Sequence, residues 1–303
     1  MAVFDRITLA EDMVDCRGVV LAPRGKVISP QAIAEAAERA RPTPRRRLGE
    51  TAVAADVGAI FEISAYRPLF GRAGAREAVE GTLRSVELPE VLLDELLATR
   101  RDQPFLYRHG ILTAAVGVRV LQAAVSRARA LSDLAAAALL HDLGMRQVPV
   151  RLLSHGDELS AEQAQRVAAH PLLGAYHLAG VLGHHPGVTA AQCHHWRCGQ
   201  GYPRLAAAPS RSVEVIAVAS AFCALTQPRP YRTGAYDVRG GVDVLVQEAA
   251  AGHADPSTVR LLVHALRGGT GDPRSVRFGS ARDGHAPEEN RHRQLGAWPR
   301  SRS

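Results

Sequence analysis

Apolar residues recur at helical spacing over most of the chain between residues 105 and 267. The segment SDLAAAALLHDLG covers 132–144, and VEVIAVASAFCALT at 213–226 is apolar on nearly every side. A helix that is apolar all round is buried among other helices. The pattern therefore predicts a helical bundle for residues 105–267.

Capping residues predict where several of these helices begin and end. Ser132 fits an N-cap, and Gly144 fits a position just past the C-terminus of the same helix. Ser160, with Gln163 three residues later, forms a capping-box pattern, and Asp255 precedes a proline at a first-turn position. We expect helices to begin after Ser132, Ser160 and Asp255.

The first 50 residues have a different pattern. GVVLAPRGKVIS at 18–29 predicts two strands around a Pro-Arg-Gly turn, and PQAIAEAAERA at 30–40 predicts a short helix before an arginine run. Residues 1–50 are therefore interpreted as a small α+β unit. Residues 51–104 are interpreted as a helical linker region, in which PEVLLDELLATR at 89–100 has helical spacing.

Residues 268–303 are rich in Gly, Pro, Arg and Ser and have no periodicity, which predicts a disordered basic tail. The chain of 303 residues has a formal net charge of +7. Much of this charge lies in the tail and in the segment RPTPRRR at 41–47, which are typical of solvated flanks. Basic residues are not interleaved with aromatic ones, so a nucleic-acid partner is not expected.

The chain shows no sign of membrane insertion or secretion. No run reaches the roughly 18 apolar residues of a spanning helix, and Asp5, Arg6, Glu11 and Asp12 interrupt any signal-peptide core. We therefore expect a cytoplasmic protein without a membrane span. Its four cysteines should then be thiols or metal ligands.

Several of the 13 histidines stand at the ends of predicted helices or along apolar helices. These are His109, the His141-Asp142 pair, His170 and the His194-His195 pair. A single histidine on a helix is usually a structural residue, but several that converge can bind divalent metals in the interior of a bundle. Two such ions share a bridging carboxylate, bind a phosphodiester between them and activate water. The pattern indicates a metal-dependent hydrolase.

The motifs follow one another in a recognisable order. HDLGM at 141–145 is followed by HPLLGA at 170–175, HHWRCGQGYP at 194–203 and RPYR at 229–232. This string resembles the HD-GYP group of the HD phosphohydrolase superfamily. The resemblance implies an all-α HD-domain bundle, divalent metal ions such as iron or manganese, and hydrolysis of cyclic di-GMP in signalling that also involves protein partners.

The resemblance assigns a role to each matching residue. It makes Asp142 the bridging catalytic carboxylate, and Arg229 and Arg232 candidate contacts for phosphate. The metal ligands it implies are His109, His141, Asp142, His170, His194 and His195. The last pair is ambiguous because the segment before Gly-Tyr-Pro is one residue short, and a second alignment places Cys193 and His194 at these positions.

Other positions depart from the motif. Ser220 stands where a late aspartate completes the first metal site, and Cys223 replaces a second aspartate. The lysine that follows HDxG is Met145, although Arg146 comes directly after it, and Cys198 replaces an aspartate. A serine hydroxyl is a poor ligand for a hard divalent ion. One site should therefore be intact and the other weakened by Ser220.

The sequence leaves two main functions open, besides hydrolysis of some other phosphorylated substrate. One is an active phosphodiesterase with impaired activity, and the other is a degenerate module that senses nucleotides or binds proteins. A zinc site built from Cys193, Cys198 and the histidines between them is a third interpretation of the same segment.

Overall fold

The computed structural model describes residues 4–125, 127–153, 159–229 and 234–278. The N-terminal unit contains four short strands and one helix. Its elements are β1 (Ile7–Thr8), β2 (Met13–Val14), β3 (Val20–Ala22), β4 (Val27–Ile28) and α1 (Pro30–Arg39). The strands predicted on either side of the Pro-Arg-Gly turn are β3 and β4. They do not pair with each other, because β3 pairs with β2 and β4 pairs with β1, both antiparallel.

Residues 45–102 fold into a strand pair and helices that join the N-terminal unit to the bundle. The elements are β5 (Arg45–Arg47), α2 (Val53–Ile60), α3 (Arg67–Phe70), α4 (Ala75–Ser85), β6 (Glu87–Pro89) and α5 (Glu90–Asp102). The arginine run, expected to be a flank, is strand β5 and pairs antiparallel with β6. Buried residues of this region belong to the same hydrophobic core as the bundle.

The remaining helices form the bundle. They are α6 (Pro104–Leu121), α7 (Ala128–Leu140), α8 (Val150–Leu153), α9 (Ala161–Ala168), α10 (His170–Leu182), α11 (Pro186–Cys193), α12 (Arg211–Thr226), α13 (Val238–Ala250) and α14 (Pro256–Leu266). A short hairpin, β7 (Trp196–Arg197) and β8 (Gln200–Gly201), follows α11. Helix α6 is buried along nearly its whole length and packs against α7 and α12. The expected all-α bundle with a small α+β N-terminal unit is confirmed.

Two of the three predicted helix N-termini are correct and one is wrong. Ser160 forms the predicted capping box with Gln163, and Asp255 accepts a hydrogen bond from the backbone of its helix. Ser132 is not an N-cap, because α7 begins at Ala128 and the alanines before Ser132 are strong helix formers.

Gly144 has a different role from the predicted one. It lies in a 3-10 helix, Leu143–Gln147, that follows α7. A Cβ atom at this position would overlap the carbonyl oxygen of His170. Glycine is therefore required for the close approach of the His141-Asp142 turn to α10, rather than for a helix cap.

The helix α1 packs along α10 and places the N-terminal unit on the bundle. Of the tail predicted to be disordered, residues 268–278 lie against the bundle: Arg119 donates to the carbonyl of Gly268, and Arg260 lies over the ring of Phe278. The rest of the tail, 279–303, lies outside the described residues. Among the helices described, none is both long and apolar enough to cross a membrane.

Candidate metal centre

The carboxylate of Asp142 lies at the meeting point of five histidines carried by separate segments. His109 lies within α6, His141 and Asp142 follow α7, His170 begins α10, and His194 and His195 follow α11. Their ligating atoms form two groups that share Asp142, one with His109 and His141 and one with His170, His194 and His195. Within each group these atoms lie within 4.8 Å of one another. The sequence separates these residues widely, and the fold brings all of them together.

Each oxygen of Asp142 faces one of the two groups. Oδ1 lies 3.3 Å from Nε2 of His170 and 3.1 Å from Nε2 of His194. Oδ2 lies 3.6 Å from Nε2 of His109 and 3.5 Å from Nε2 of His141. This is the arrangement in which one carboxylate bridges two ligand groups.

Three of the imidazoles are oriented by carbonyls at helix C-termini. The Nδ1 contacts are His141 to Ala138 at 2.7 Å, His170 to Val167 at 2.7 Å, and His194 to Ala191 at 2.9 Å. The last carbonyls of a helix lack partners within the helix and accept such hydrogen bonds. A neutral ring that donates from Nδ1 has a bare lone pair on Nε2, which is the form a metal requires.

The second group, around His170 and His194, fits a divalent metal. The two Nε2 atoms lie 3.1 Å apart, and the tautomers set by the backbone place a lone pair on each. Oδ1 of Asp142 is buried and lacks a hydrogen-bond partner, although both nitrogens are near it. Lone pairs that converge in this way repel one another unless a cation lies between them. The residues present therefore suit a cation held by nitrogen and oxygen ligands.

In the first group, which contains His109 and His141, a hydroxyl is present in place of the carboxylate that the motif predicts. Ser220, on α12, places Oγ 3.0 Å from Nε2 of His141 and 3.2 Å from Nε2 of His109. Ser220 therefore lies within the cluster and touches both imidazoles. The three remaining ligands of this group include a single carboxylate, Asp142, which the second group shares.

His109 has surroundings unlike those of the other rings. Its Nδ1 atom lies 3.3 Å from Oε1 of Gln227 and 3.2 Å from Nη2 of Arg229, so side chains and not a helix carbonyl determine its tautomer. Nε of Arg229 is buried without a hydrogen-bond partner among the described residues. Gln227 could not be identified from the sequence, because nothing in the local pattern marks a residue that contacts another 118 positions away.

Electrostatics favour neutral imidazoles around an ionised carboxylate. Burial lowers the pKa of His141 to about 4, and the neighbouring Asp142 offsets only part of that effect. Burial and then the charge of Arg229 hold the pKa of His109 well below its usual value. Burial alone would raise the pKa of Asp142, but the surrounding imidazoles, first His141, hold it well below its usual range. These are the protonation states that metal ligands need.

The hairpin after α11 shapes the second group. The ring of His195 stacks on Tyr202, with centroids 4.7 Å apart and planes 17° apart. At Gly201 a Cβ atom would overlap the carbonyl oxygen of His195, and φ is +104°, so a glycine is needed here. Gly201 and Tyr202 therefore fix the position of His195.

The structure brings His195, and not Cys193, into the group with His194. Cys193 is buried, and burial raises the pKa of its thiol to about 12. Cys198 is exposed at the hairpin turn with a φ of +51°, next to Gly199 at +77°. Within the described residues, neither group of metal-ligating side chains contains a cysteine. The Cys193–Cys198 zinc interpretation has no support in this part of the chain.

The side chains of Met145 and Arg146 have partners outside the metal-ligating groups. Met145 packs into a small apolar cluster with Val148 and Leu152. Arg146 places Nε 2.6 Å from Oε2 of the buried Glu95 and donates to Oγ1 of Thr99 at 3.3 Å. The guanidinium of Arg146 is therefore engaged by α5 and does not take the place of the missing lysine. Arg232 lies outside the described residues.

Comparison with known proteins agrees with this geometry. The model of a family described as HD domain matches residues 92–258. The chain is also similar to the 3'3'-cGAMP-specific phosphodiesterase 1 of Vibrio cholerae serotype O1, with 31% identity over 128 residues. That alignment covers 41% of this chain and 30% of the relative, so the chain spans less than a third of the relative's length.

Proposed function

The chain belongs to the HD domain family, and from that premise we propose that it is a metal-dependent phosphodiesterase of the HD-GYP type acting on a cyclic dinucleotide. The observation that carries this proposal is the convergence of five imidazoles on the two oxygens of Asp142. Burying the ionised carboxylate of Asp142 among neutral imidazoles inside a helical bundle is costly unless a cation is bound there.

The second group supplies the better metal site. His170 and His194 present bare Nε2 atoms to Oδ1 of Asp142, and His195 completes the group under Tyr202. A divalent metal held there would act as a Lewis acid on a phosphodiester and favour attack by water. The side chain of Asp142 is 12% exposed as a whole, although its Oδ1 atom is buried among the imidazoles of the second group.

A structural contact and a sequence similarity support the proposal of a cyclic dinucleotide as the substrate. The Gly201-Tyr202-Pro203 segment contacts His195 and so joins the HD-GYP motif to the ligand set. The Vibrio cholerae relative is named for hydrolysis of 3'3'-cGAMP, and the HD-GYP resemblance implies cyclic di-GMP. A phosphate contact by Arg229, which lies beside His109, and by Arg232 is part of the same proposal.

A second candidate function follows from Ser220. The first group has no fourth ligand with a charge, and neither Met145 nor Arg146 offers a cation to the site. Loss of one charge-stabilising group costs on the order of 10² to 10³ in rate. A protein that binds a cyclic dinucleotide without hydrolysing it, and signals through a protein partner, would have this ligand set.

One experiment separates the two functions. The full chain is loaded with manganese or iron and incubated separately with cyclic di-GMP and with 3'3'-cGAMP, and products are resolved by chromatography. Hydrolysis that disappears in Asp142→Asn supports the phosphodiesterase. Saturable binding of either nucleotide without turnover supports the sensor, and the absence of both binding and turnover contradicts both functions. His184→Gln, on an exposed side chain paired with Glu38, is the matched control.

A further inference from the structure

The tautomer of His109 is the feature that separates the first ligand group from the second. The other rings that contact backbone carbonyls donate from Nδ1 and leave Nε2 bare. Nδ1 of His109 instead lies between an amide oxygen of Gln227 at 3.3 Å and a guanidinium nitrogen of Arg229 at 3.2 Å. These two neighbours require opposite tautomers of the ring.

Arg229 decides this competition. A guanidinium has only donors and stays charged at every accessible pH, so it can approach Nδ1 only when that nitrogen accepts. Gln227 can turn its amide and present either an acceptor or a donor. A hydrogen bond from a charged donor is also the stronger one. The proton of the neutral His109 ring therefore lies on Nε2.

The hydroxyl of Ser220 completes the arrangement. Nε2 of His109 donates to Oγ of Ser220 at 3.2 Å, and Oγ donates to the bare Nε2 of His141 at 3.0 Å. Nδ1 of His141 donates in turn to the carbonyl of Ala138 at 2.7 Å. Each donor in this series of hydrogen bonds has one acceptor, and every hydrogen bond points in the same direction, away from Arg229. An aspartate at position 220 would offer no proton to His141.

We propose that Arg229, His109, Ser220 and His141 form a continuous hydrogen-bonded relay, so that the protein holds its metal in the group around His170 and His194 only. Arg229 is then a positioning residue that keeps the Nε2 lone pair of His109 from any metal. The shared carboxylate of Asp142 acts as a ligand for one ion and not as a bridge between two.

Charge supports the same assignment. Arg229 lies at hydrogen-bond distance from His109, so a divalent ion on Nε2 of the same ring would face a fixed positive charge across one imidazole. Ser220 supplies no negative charge to offset it.

This inference rests on the proposed metal-dependent function but fails separately from it. Retention of two metal ions would overturn the relay and leave the phosphodiesterase proposal intact. Conversely, a single metal with no hydrolysis of any cyclic dinucleotide would remove the proposed enzyme and leave the relay in place.

The test uses the full chain with nitrogen-15-labelled histidine and zinc chloride as the probe. Two-bond proton–nitrogen correlation spectra distinguish a protonated ring nitrogen from a bare one, and the His109→Gln variant assigns the signals of His109. Metal retained after gel filtration is counted by mass spectrometry. We expect one zinc per chain, a protonated Nε2 on His109 before and after loading, and shifts of the His170 and His194 signals on loading. Two retained zinc ions, or a His109 Nε2 that loses its proton when zinc is added, would overturn the proposal.

Variants at the two neighbours of His109 give a matched pair. Arg229→Met removes the donor, and the ring proton is expected to move to Nδ1, facing Gln227. Gln227→Leu removes the competing oxygen at a buried position, and the proton is expected to stay on Nε2. The opposite result in either variant contradicts the role of Arg229. Because the parent's own spectrum already tests the tautomer, a variant that fails to fold leaves the proposal falsifiable.

Discussion

Oγ of Ser220 lies 3.0 Å from Nε2 of His141, at a position where the resemblance of the sequence to HD-GYP proteins predicts a carboxylate. We expect Ser220→Asp to create a fourth, charged ligand for the first group. Without metal the buried carboxylate should destabilise the fold, by about 1 to 3 kcal/mol, because its hydration is lost. With zinc the variant should retain a second ion and gain more in melting temperature than the parent gains.

Ser220→Asn is the control for this change, because the asparagine side chain has nearly the same shape as aspartate and carries no charge. Thermal unfolding with and without zinc, together with a count of retained metal, checks the result. A second zinc ion in the Asn variant as well would show that space, and not charge, limits the first group.

His170 and His194 have their Nε2 atoms 3.1 Å apart, and in the proposed site a metal held between them would account for this approach. His170→Gln should lower the affinity for the metal at least about tenfold, since altering even an outer partner of a ligand has that effect. Competition with a chromophoric chelator measures it. His184→Gln changes an exposed imidazole and should leave the affinity unchanged; an equal loss in both variants would contradict the assignment of the site.

Much of the group of candidate ligands could be predicted because most of them, unlike His109 within α6, lie next to a helix end that the sequence marks. His141, His170 and His194 each follow a helical segment, and their Nδ1 atoms contact carbonyls three residues earlier. Local spacing therefore determines both the position and the tautomer of these rings. The caps at Ser160 and Asp255 were predictable for the same reason.

Contacts between distant segments could not be predicted in this way. The hydrogen-bond partners described for Arg146 and for His109 lie 47 or more positions away, and charge alone made Arg146 a candidate for the missing lysine. The strand pairing of the N-terminal unit could not be predicted either, since β3 and β4 flank one turn and yet pair with other strands. Such choices depend on packing that a local pattern does not contain.

Glu95 and Arg146 form an ion pair that is almost fully buried, with side chains 2% and 14% exposed. Removing one member should destabilise the protein by about 3 to 5 kcal/mol, because the other charge stays buried without its partner. Glu95→Leu with Arg146→Met should cost clearly less than the sum of the single changes. Urea unfolding of the four proteins gives the coupling energy, and metal retention should be equal in all of them. Additive single changes, or loss of metal in Arg146→Met, would contradict this structural role.

Gly144 and Gly180 offer a matched comparison of two Gly→Ala changes. A Cβ at Gly144 would overlap the carbonyl of His170, so Gly144→Ala must displace α10 and should weaken metal retention as well as stability. Gly180, within α10, has open space around its Cβ position, and Gly180→Ala should stabilise the protein by about 0.4 to 1 kcal/mol. Chemical unfolding and metal counts measure both effects. Equal stability of the two variants would mean that the turn at Gly144 adapts without cost.

His177 lies on the buried part of α10, and its Nε2 atom is buried without a hydrogen-bond partner among the described residues. Burial lowers its pKa from the ordinary 6.5 to about 4; Asp15 acts against this shift and Arg146 adds to it. Between these two values the unfolded chain binds a proton that the folded protein does not. Stability contributed by the neutral ring is therefore present above pH 6.5 and is lost as the pH falls towards 4, by up to about 1.4 kcal/mol per pH unit.

Replacing His177 should remove this part of the pH dependence. Urea unfolding at pH 7 and pH 5, with a chelator present, is compared between the parent and two variants, His177→Leu and His177→Gln. Both replacements are neutral at either pH, so both should lose less stability than the parent on acidification, whatever their stability at pH 7. The comparison subtracts the contributions of the other buried histidines, which all three proteins share. If the parent and both variants lose the same free energy between pH 7 and pH 5, His177 takes up its proton as easily in the fold as in the unfolded chain.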